Sequence, residues 1–263
     1  MKSFLASAIL LFSSALAAHA DIIVGLPPDV GTGTAWPFSL DFQGEYQQVY
    51  THSVFPGPFL ITGLEFFNTA YNSGATSLES GPVTIALSET SVDWNTIGPV
   101  LSANIGVNNV QVFNGTIGGP WAFGNTLTFS FSTPYLYDPA AGNLLMDVIA
   151  NLSGNEVVDF DSNGLNGFGF NGNTIMGRAA LPSPGFPFVI VDHGFGIVTG
   201  FMGSPVPEPS SLLLLSSIVC VGSAYIVRRR RKSRSKAATS STRSSRRWTA
   251  SRRRAARSPR SSA

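Results

Sequence analysis

The densest run of potential ligands in this chain is Asp159-Phe160-Asp161-Ser162-Asn163-Gly164, where Asp159, Asp161 and Asn163 place side-chain oxygens at alternate positions before a glycine. Oxygen donors spaced this way suit a hard cation, and calcium is the cofactor they would take. The twelfth position of such a loop is Phe170, where an EF-hand needs a bidentate Glu, so only a calcium turn of another kind remains. A solvated Asp/Asn/Gly turn between strands accounts for the same residues. Trp36, Trp94 and Trp121 stand beside Pro, Asn or Gly in loop-like contexts. Exposed there, their apolar faces would stack on sugar rings and make extracellular polysaccharide a partner; enclosed, they would close the ends of a core.

Catalytic constellations are harder to find. His52 and His193 are the only histidines after residue 20, and Asp192 adjoins His193. Neighbours on a strand point to opposite faces, so the two do not read as an acid-base pair. Cys220 is the only cysteine and lies in an apolar run, which leaves no intramolecular disulfide and no reactive thiol site. There is no Gly-x-Ser-x-Gly and no phosphate-binding Gly-rich loop. The expectation is a protein that is not an enzyme.

The elements that must carry these residues are strands. Residues 21 to 209 hold 26 Gly, 16 Pro and 15 Asn, too many turn formers for helices of ordinary length, and 25 aromatics, too many for a disordered linker. Short β-branched or aromatic runs at 47–55, 59–67, 83–88, 109–113, 126–132, 144–151, 156–160 and 188–200 are separated by Pro-Gly, Asn-Gly and Ser-Gly pairs. Leu127-Thr128-Phe129-Ser130-Phe131 alternates with period two, the mark of a strand with one buried and one wet face. The predicted fold is all-β, a β-sandwich of jelly-roll type over residues 21–204, with a barrel as the alternative.

Charge divides the chain. All fifteen acids and a single base, Arg178, lie in residues 21 to 209, while fifteen bases and no acid lie in residues 228 to 263. This is the partition of a chain built across a boundary. Residues 1–20 read as a signal peptide: Lys2, an apolar stretch, and a small-x-small ending at Ala18 and Ala20. Residues 211–227 are uncharged and would span about 26 Å as a helix, at the short limit for a transmembrane segment. Arg228, Arg229, Arg230 and Arg231 follow as a membrane stop and place the acidic body outside. Residues 233–263, almost wholly Ser, Arg, Ala and Thr, read as a disordered tail. That tail is either a basic arm for anionic lipid or nucleic acid, or an idle extension; for the body itself no nucleic-acid partner is expected.

The order Val206-Pro207-Glu208-Pro209, apolar segment, arginine cluster resembles the PEP-CTERM sorting signal of exported bacterial proteins. The match covers 206–232, and the run beyond Lys232 is longer than the family pattern. A second likeness to the ectodomains of that family lies in Tyr137-Asp138-Pro139-Ala140-Ala141-Gly142-Asn143-Leu144-Leu145, read physically as a turn entering a core strand. The resemblance implies recognition by an exosortase, a membrane-embedded enzyme that removes the tail near Pro207, Glu208 and Pro209, with delivery through the inner membrane to the cell surface or an extracellular polysaccharide matrix. A plain single-pass anchor with a proline-rich stalk is the alternative.

Overall fold

The computed structural model describes residues 21–164 and 172–206. The sequence readings on Ala18 and Ala20, on Phe170, on Pro207, Glu208 and Pro209, on the span 211–227, on Arg228 to Arg231 and on the tail lie outside the described residues. Among the described residues, no helix is long and apolar enough to cross a membrane.

The described chain is all-β. Its strands are β1 (Ile22–Val24), β2 (Glu45–Tyr50), β3 (Phe59–Phe67), β4 (Ser77–Thr90), β5 (Val107–Pro120), β6 (Thr126–Tyr137), β7 (Asn143–Ala150), β8 (Ser162–Asn163), β9 (Met176–Leu181), β10 (Ile190–His193), β11 (Gly196–Ile197) and β12 (Thr199–Pro205). They form a four-stranded sheet in the order β1-β12-β3-β6 and a six-stranded sheet in the order β10-β9-β2-β7-β4-β5. β8 and β11 pair by themselves.

Period-two alternation decides which side chains meet between the sheets. Tyr46 and Tyr50 of β2, Val83, Ile85 and Leu87 of β4, and Leu144, Met146 and Val148 of β7 enter one core with Ile61, Leu64 and Phe66 of β3 and Phe201 of β12. Aromatic rings dominate the seam. Phe38 packs on Phe66, Phe129 and Phe160 with ring centroids 4.7, 5.2 and 5.7 Å apart. Phe55 packs on Tyr137 and Phe201 at 4.7 and 5.1 Å. Tyr50 bridges the sheets twice, stacking edge-on to Phe201 at 5.0 Å and sharing a 2.7 Å hydrogen bond with Thr199 Oγ1.

Several strands run longer than the sequence runs suggested. β4 and β5 pair along 14 residues each because register shifts at Leu78/Gly81, Ile85/Ala86 and Leu87/Glu89 absorb residues that break the alternation. Residues 156–160 form no strand: Phe160 makes one isolated bridge to Thr34, and its ring fills the core instead. The run 188–200 is split into β10, β11 and the start of β12. β9, with the sequence Met-Gly-Arg-Ala-Ala-Leu, escaped notice because it carries no β-branched or aromatic residue.

The turn after β6 follows its reading. Asp138 Oδ1 accepts from Ala140 N at 2.9 Å, and Gly142 has φ +150°. A Cβ at Gly142 would lie 2.6 Å from Thr90 O, so close approach of backbone requires glycine here.

Candidate functional site

Each face of the six-stranded sheet carries chemistry, and the outer one is partly roofed. Residues 91–106 form a strap that crosses it and covers a second apolar cluster of Val49, Ile97, Leu145 and Ala179, with Trp94 half-buried against it. The strap holds one helical turn, Leu101–Asn104. Gly177 of β9 is where it comes closest: a Cβ there would collide with the Trp94 carbonyl oxygen. Polar bonds pin the rest. Asn143 Nδ2 donates to Val92 O at 2.9 Å, Thr90 Oγ1 donates to Asn104 O at 2.8 Å, and His193 Nε2 lies 3.0 Å from Ile97 O.

Beside the strap, β2 and β7 bring two acids together. Gln47 is opposite Asp147 and Glu45 is opposite Ile149, so Glu45 and Asp147 are diagonal neighbours on the outer face. Their carboxyl groups interact with one another, and the Gln47 amide approaches both. Asp147 is 8% exposed, and its Oδ1 is buried with no donor. Burial, followed by the charge of Glu45, pushes the Asp147 carboxyl up to about 7. Burial also raises Glu45. A chain of amides runs from the pair to the strap: Gln47 Nε2 donates to Glu45 Oε1 at 3.0 Å, and Asn104 Nδ2 donates to Gln47 Oε1 at 2.9 Å. Glu45 also lines a cleft of about 440 Å³ with Gln43, Ile149, Leu181 and Pro184.

Of the three calcium candidates, Asp161 and Asn163 are committed to separate partners. The Asp161 carboxylate accepts from Thr69 N and Ala70 N, both at 2.7 Å, and from Thr69 Oγ1, so it ties down the chain leaving β3. Asn163 Nδ2 donates to Pro27 O at 2.7 Å and its Oδ1 accepts from Asn173. Asp159 is half-buried, raised by that burial, and has no hydrogen-bond partner among the described residues. Among the described residues, no three His, Cys, Asp or Glu side chains are gathered as a metal-binding group.

The tryptophans part ways as well. Trp121 is 7% exposed, packs on Phe160 at 5.6 Å and donates from Nε1 to the Asn68 side-chain oxygen at 2.9 Å. It is a core residue and offers no ring face to a sugar. Trp36 is half-buried, with Phe42 at 6.3 Å and the Arg178 guanidinium 5.7 Å from its ring centre. Trp94 belongs to the strap cluster, apart from the core cluster that Trp36 joins. The structure does not bring the three into one binding face.

A second cleft, of about 380 Å³, is lined by Tyr71, Ser73, Glu156 and Asp159. Tyr71 is 42% exposed. Glu156 accepts from Thr76 N and from Ser77 N, which holds its carboxyl below the usual carboxylate range. Ser73 Oγ is enclosed and unpartnered. Asp147, Glu45 and Tyr71 were not singled out from sequence, because isolated acids and one tyrosine carry no spacing signal.

No family model matches this chain, and no curated protein matches it. A solved structure described as "Structure of infectious bursal disease virus Gx strain" is 12% identical, over 78% of this chain and 48% of that chain, with a TM-score of 0.18. A likeness of that size carries no argument.

Proposed function

We propose that this chain is an exported bacterial surface or extracellular-matrix protein, sorted and processed by an exosortase, whose body is a non-catalytic structural unit. One observation carries the reading. β12 ends at Pro205, Val206 donates its N–H to Pro58 O at 2.8 Å, and Pro207-Glu208-Pro209 follows at once. A cut at that motif would leave every strand of the two sheets on the released side. The compact unit of the described strands likewise ends at Val206. We read the finer fold as a jelly roll: β1-β12-β3-β6 faces β2-β7-β4-β5, and β8 to β11 are an insertion before the last strand.

The test is the intact mass of the protein from its native cell, in membrane and extracellular fractions. A C-terminus near Pro207 to Pro209 is expected. A mass ending at Ala263, found only in the membrane fraction, would overturn sorting and leave a permanent single-pass protein.

The second reading is a carbohydrate-binding module, now favoured at the cleft of Tyr71 and Asp159 rather than at the tryptophans. An exposed ring beside a carboxyl without a hydrogen-bond partner among the described residues is what a sugar face and its hydroxyls require. Tyr71→Ala should abolish binding to the cell's own polysaccharide; equal retention by the wild type and this variant on a glycan column would remove the cleft from consideration.

A further inference from the structure

We propose that Glu45 and Asp147 act as a proton-operated latch: a proton shared between them holds the 91–106 strap on the outer face of the six-stranded sheet, and its loss loosens the strap. The inference concerns the body alone and is independent of how the chain is sorted.

The geometry makes the proton necessary. Two ionised carboxylates offer only acceptors, so Glu45 and Asp147, set as diagonal neighbours by the register of β2 and β7, bond to one another only when one of them is protonated. Gln47 is a neutral donor to the pair and removes no charge from it. On the outer face, β4 presents Thr84, Ala86 and Ser88, and β9 presents Gly177, Ala179 and Leu181. β5 presents Gln111 and Asn114 opposite Ala86 and Thr84. The strap contributes Asn104 at the pair and Asp93, whose Oδ1 accepts from Trp94 N. From β10 comes His193, opposite Gly177 and engaged with Ile97 O. Arg178 and Asp192 belong to the opposite, inner face, so among the described residues no Lys or Arg sits beside the pair.

The connection to the strap is a short one. Glu45 holds Gln47 by its Nε2, and Gln47 so held turns Oε1 to Asn104. Asn104 in turn fixes the strap on itself, donating from Nδ2 to Gly98 O at 2.9 Å and accepting at Oδ1 from Gly98 N at 3.0 Å. When both acids are charged, Glu45, the more exposed partner, relieves the repulsion by moving into the cleft it lines. Gln47 then loses Glu45 as an acceptor, and its Oε1 is no longer held toward Asn104. The strap opens over Val49, Leu145 and Ala179, an apolar strip on the sheet.

The experiment is amide hydrogen exchange across residues 91–106 in the full-length chain at pH 5.5 and 8.5, corrected for the intrinsic pH dependence of exchange. Protection of Gly98 and its neighbours is expected to drop at least about tenfold at the higher pH, a shift of about 1.4 kcal/mol in the local opening equilibrium. Asp147→Asn mimics the protonated acid and should hold protection constant. An unchanged wild-type strap, or an equal loss in Asp147→Asn, would overturn the latch. Should that variant not fold, carbon-detected titration of the wild-type Asp147 carboxyl decides the matter: a midpoint near neutrality is expected, and one below pH 5 would refute it.

Discussion

Arg178 and Asp192 form an ion pair inside the sandwich, Nε to Oδ2 at 2.8 Å, with side chains 6% and 9% exposed. β9 and β10 place them directly opposite one another. Arg178 NH1 also donates to Thr34 Oγ1 at 2.9 Å, and the guanidinium lies 4.3 Å from the ring centre of Phe195. The one base among residues 21 to 209 is thus spent on internal structure.

Removing one member of this pair strands the other without its partner. Arg178→Ala should cost about 3–5 kcal/mol, because Asp192 remains as a buried uncompensated charge. The double variant Arg178→Met, Asp192→Leu should recover most of that loss. Urea unfolding midpoints of the three proteins check both statements, and a double variant no more stable than Arg178→Ala would show that the charges themselves are needed.

Stability should fall as the solution is brought from acid to neutral pH. The Asp147 carboxyl, ordinarily at 3.8, is pushed up to about 7 in the folded protein. Between those values the folded state keeps a proton that the unfolded chain has released, so stability declines as pH rises through the window and levels off above it. At about 1.4 kcal/mol per unit the loss amounts to at most about 4 kcal/mol. Glu45 shifts in the same direction. Unfolding free energies at pH 4.5 and 8 should therefore differ in the wild type and converge in Asp147→Asn.

Tyr50→Phe removes the hydroxyl that reaches Thr199 across the sheets. Thr199 Oγ1 keeps Ile197 O as an acceptor at 3.1 Å, so one strong bond and a long contact to Met146 Sδ at 3.8 Å are lost and nothing is left stranded. The expected cost is about 1 kcal/mol, seen as a small drop in thermal midpoint. A loss beyond about 3 kcal/mol would mean that the hydroxyl organises more of the seam than this bond.

Gly177→Ala should displace the strap without breaking the sheet, since the added Cβ meets the Trp94 backbone. Overpacking of this kind costs about 1–3 kcal/mol. Trp94 fluorescence should shift to the red in a variant where Trp36, Trp121 and Trp248 are replaced by Phe, while far-ultraviolet dichroism keeps its β signature.

Trp121→Ala should lower stability by about 3–5 kcal/mol through the cavity left against Phe160. Any loss of polysaccharide affinity in this variant should follow its unfolding; a folded Trp121→Ala protein that no longer binds would return Trp121 to the ligand face.

How much of this was legible beforehand follows the range of the interactions. Residues 59–67 were read to the residue, because Phe-Leu-Ile-Thr-Gly-Leu-Glu-Phe-Phe is a run rich in aromatic and β-branched residues set between Pro58 and Asn68. The turn at Asp138 to Gly142 was equally local. The all-β class, the turn-rich body and the division of charge are properties of composition, and they need no partner to be read. Which strands pair, however, depends on residues more than a hundred positions apart, as β1 with β12 or β2 with β9. β9 became a strand only because β2 and β10 supply its hydrogen bonds. Asp161 was indistinguishable from a calcium ligand until the fold set Thr69 and Ala70 against it. Likewise Glu45 and Asp147, about a hundred residues apart, become neighbours only where β2 and β7 lie side by side. Sequence by itself therefore determined the kind of fold and the partition of charge, since these arise from residue type and near neighbours. Tertiary structure alone decided which acids meet, which rings are enclosed and which base is buried, because burial and long-range pairing create the fields and contacts that give those side chains their roles.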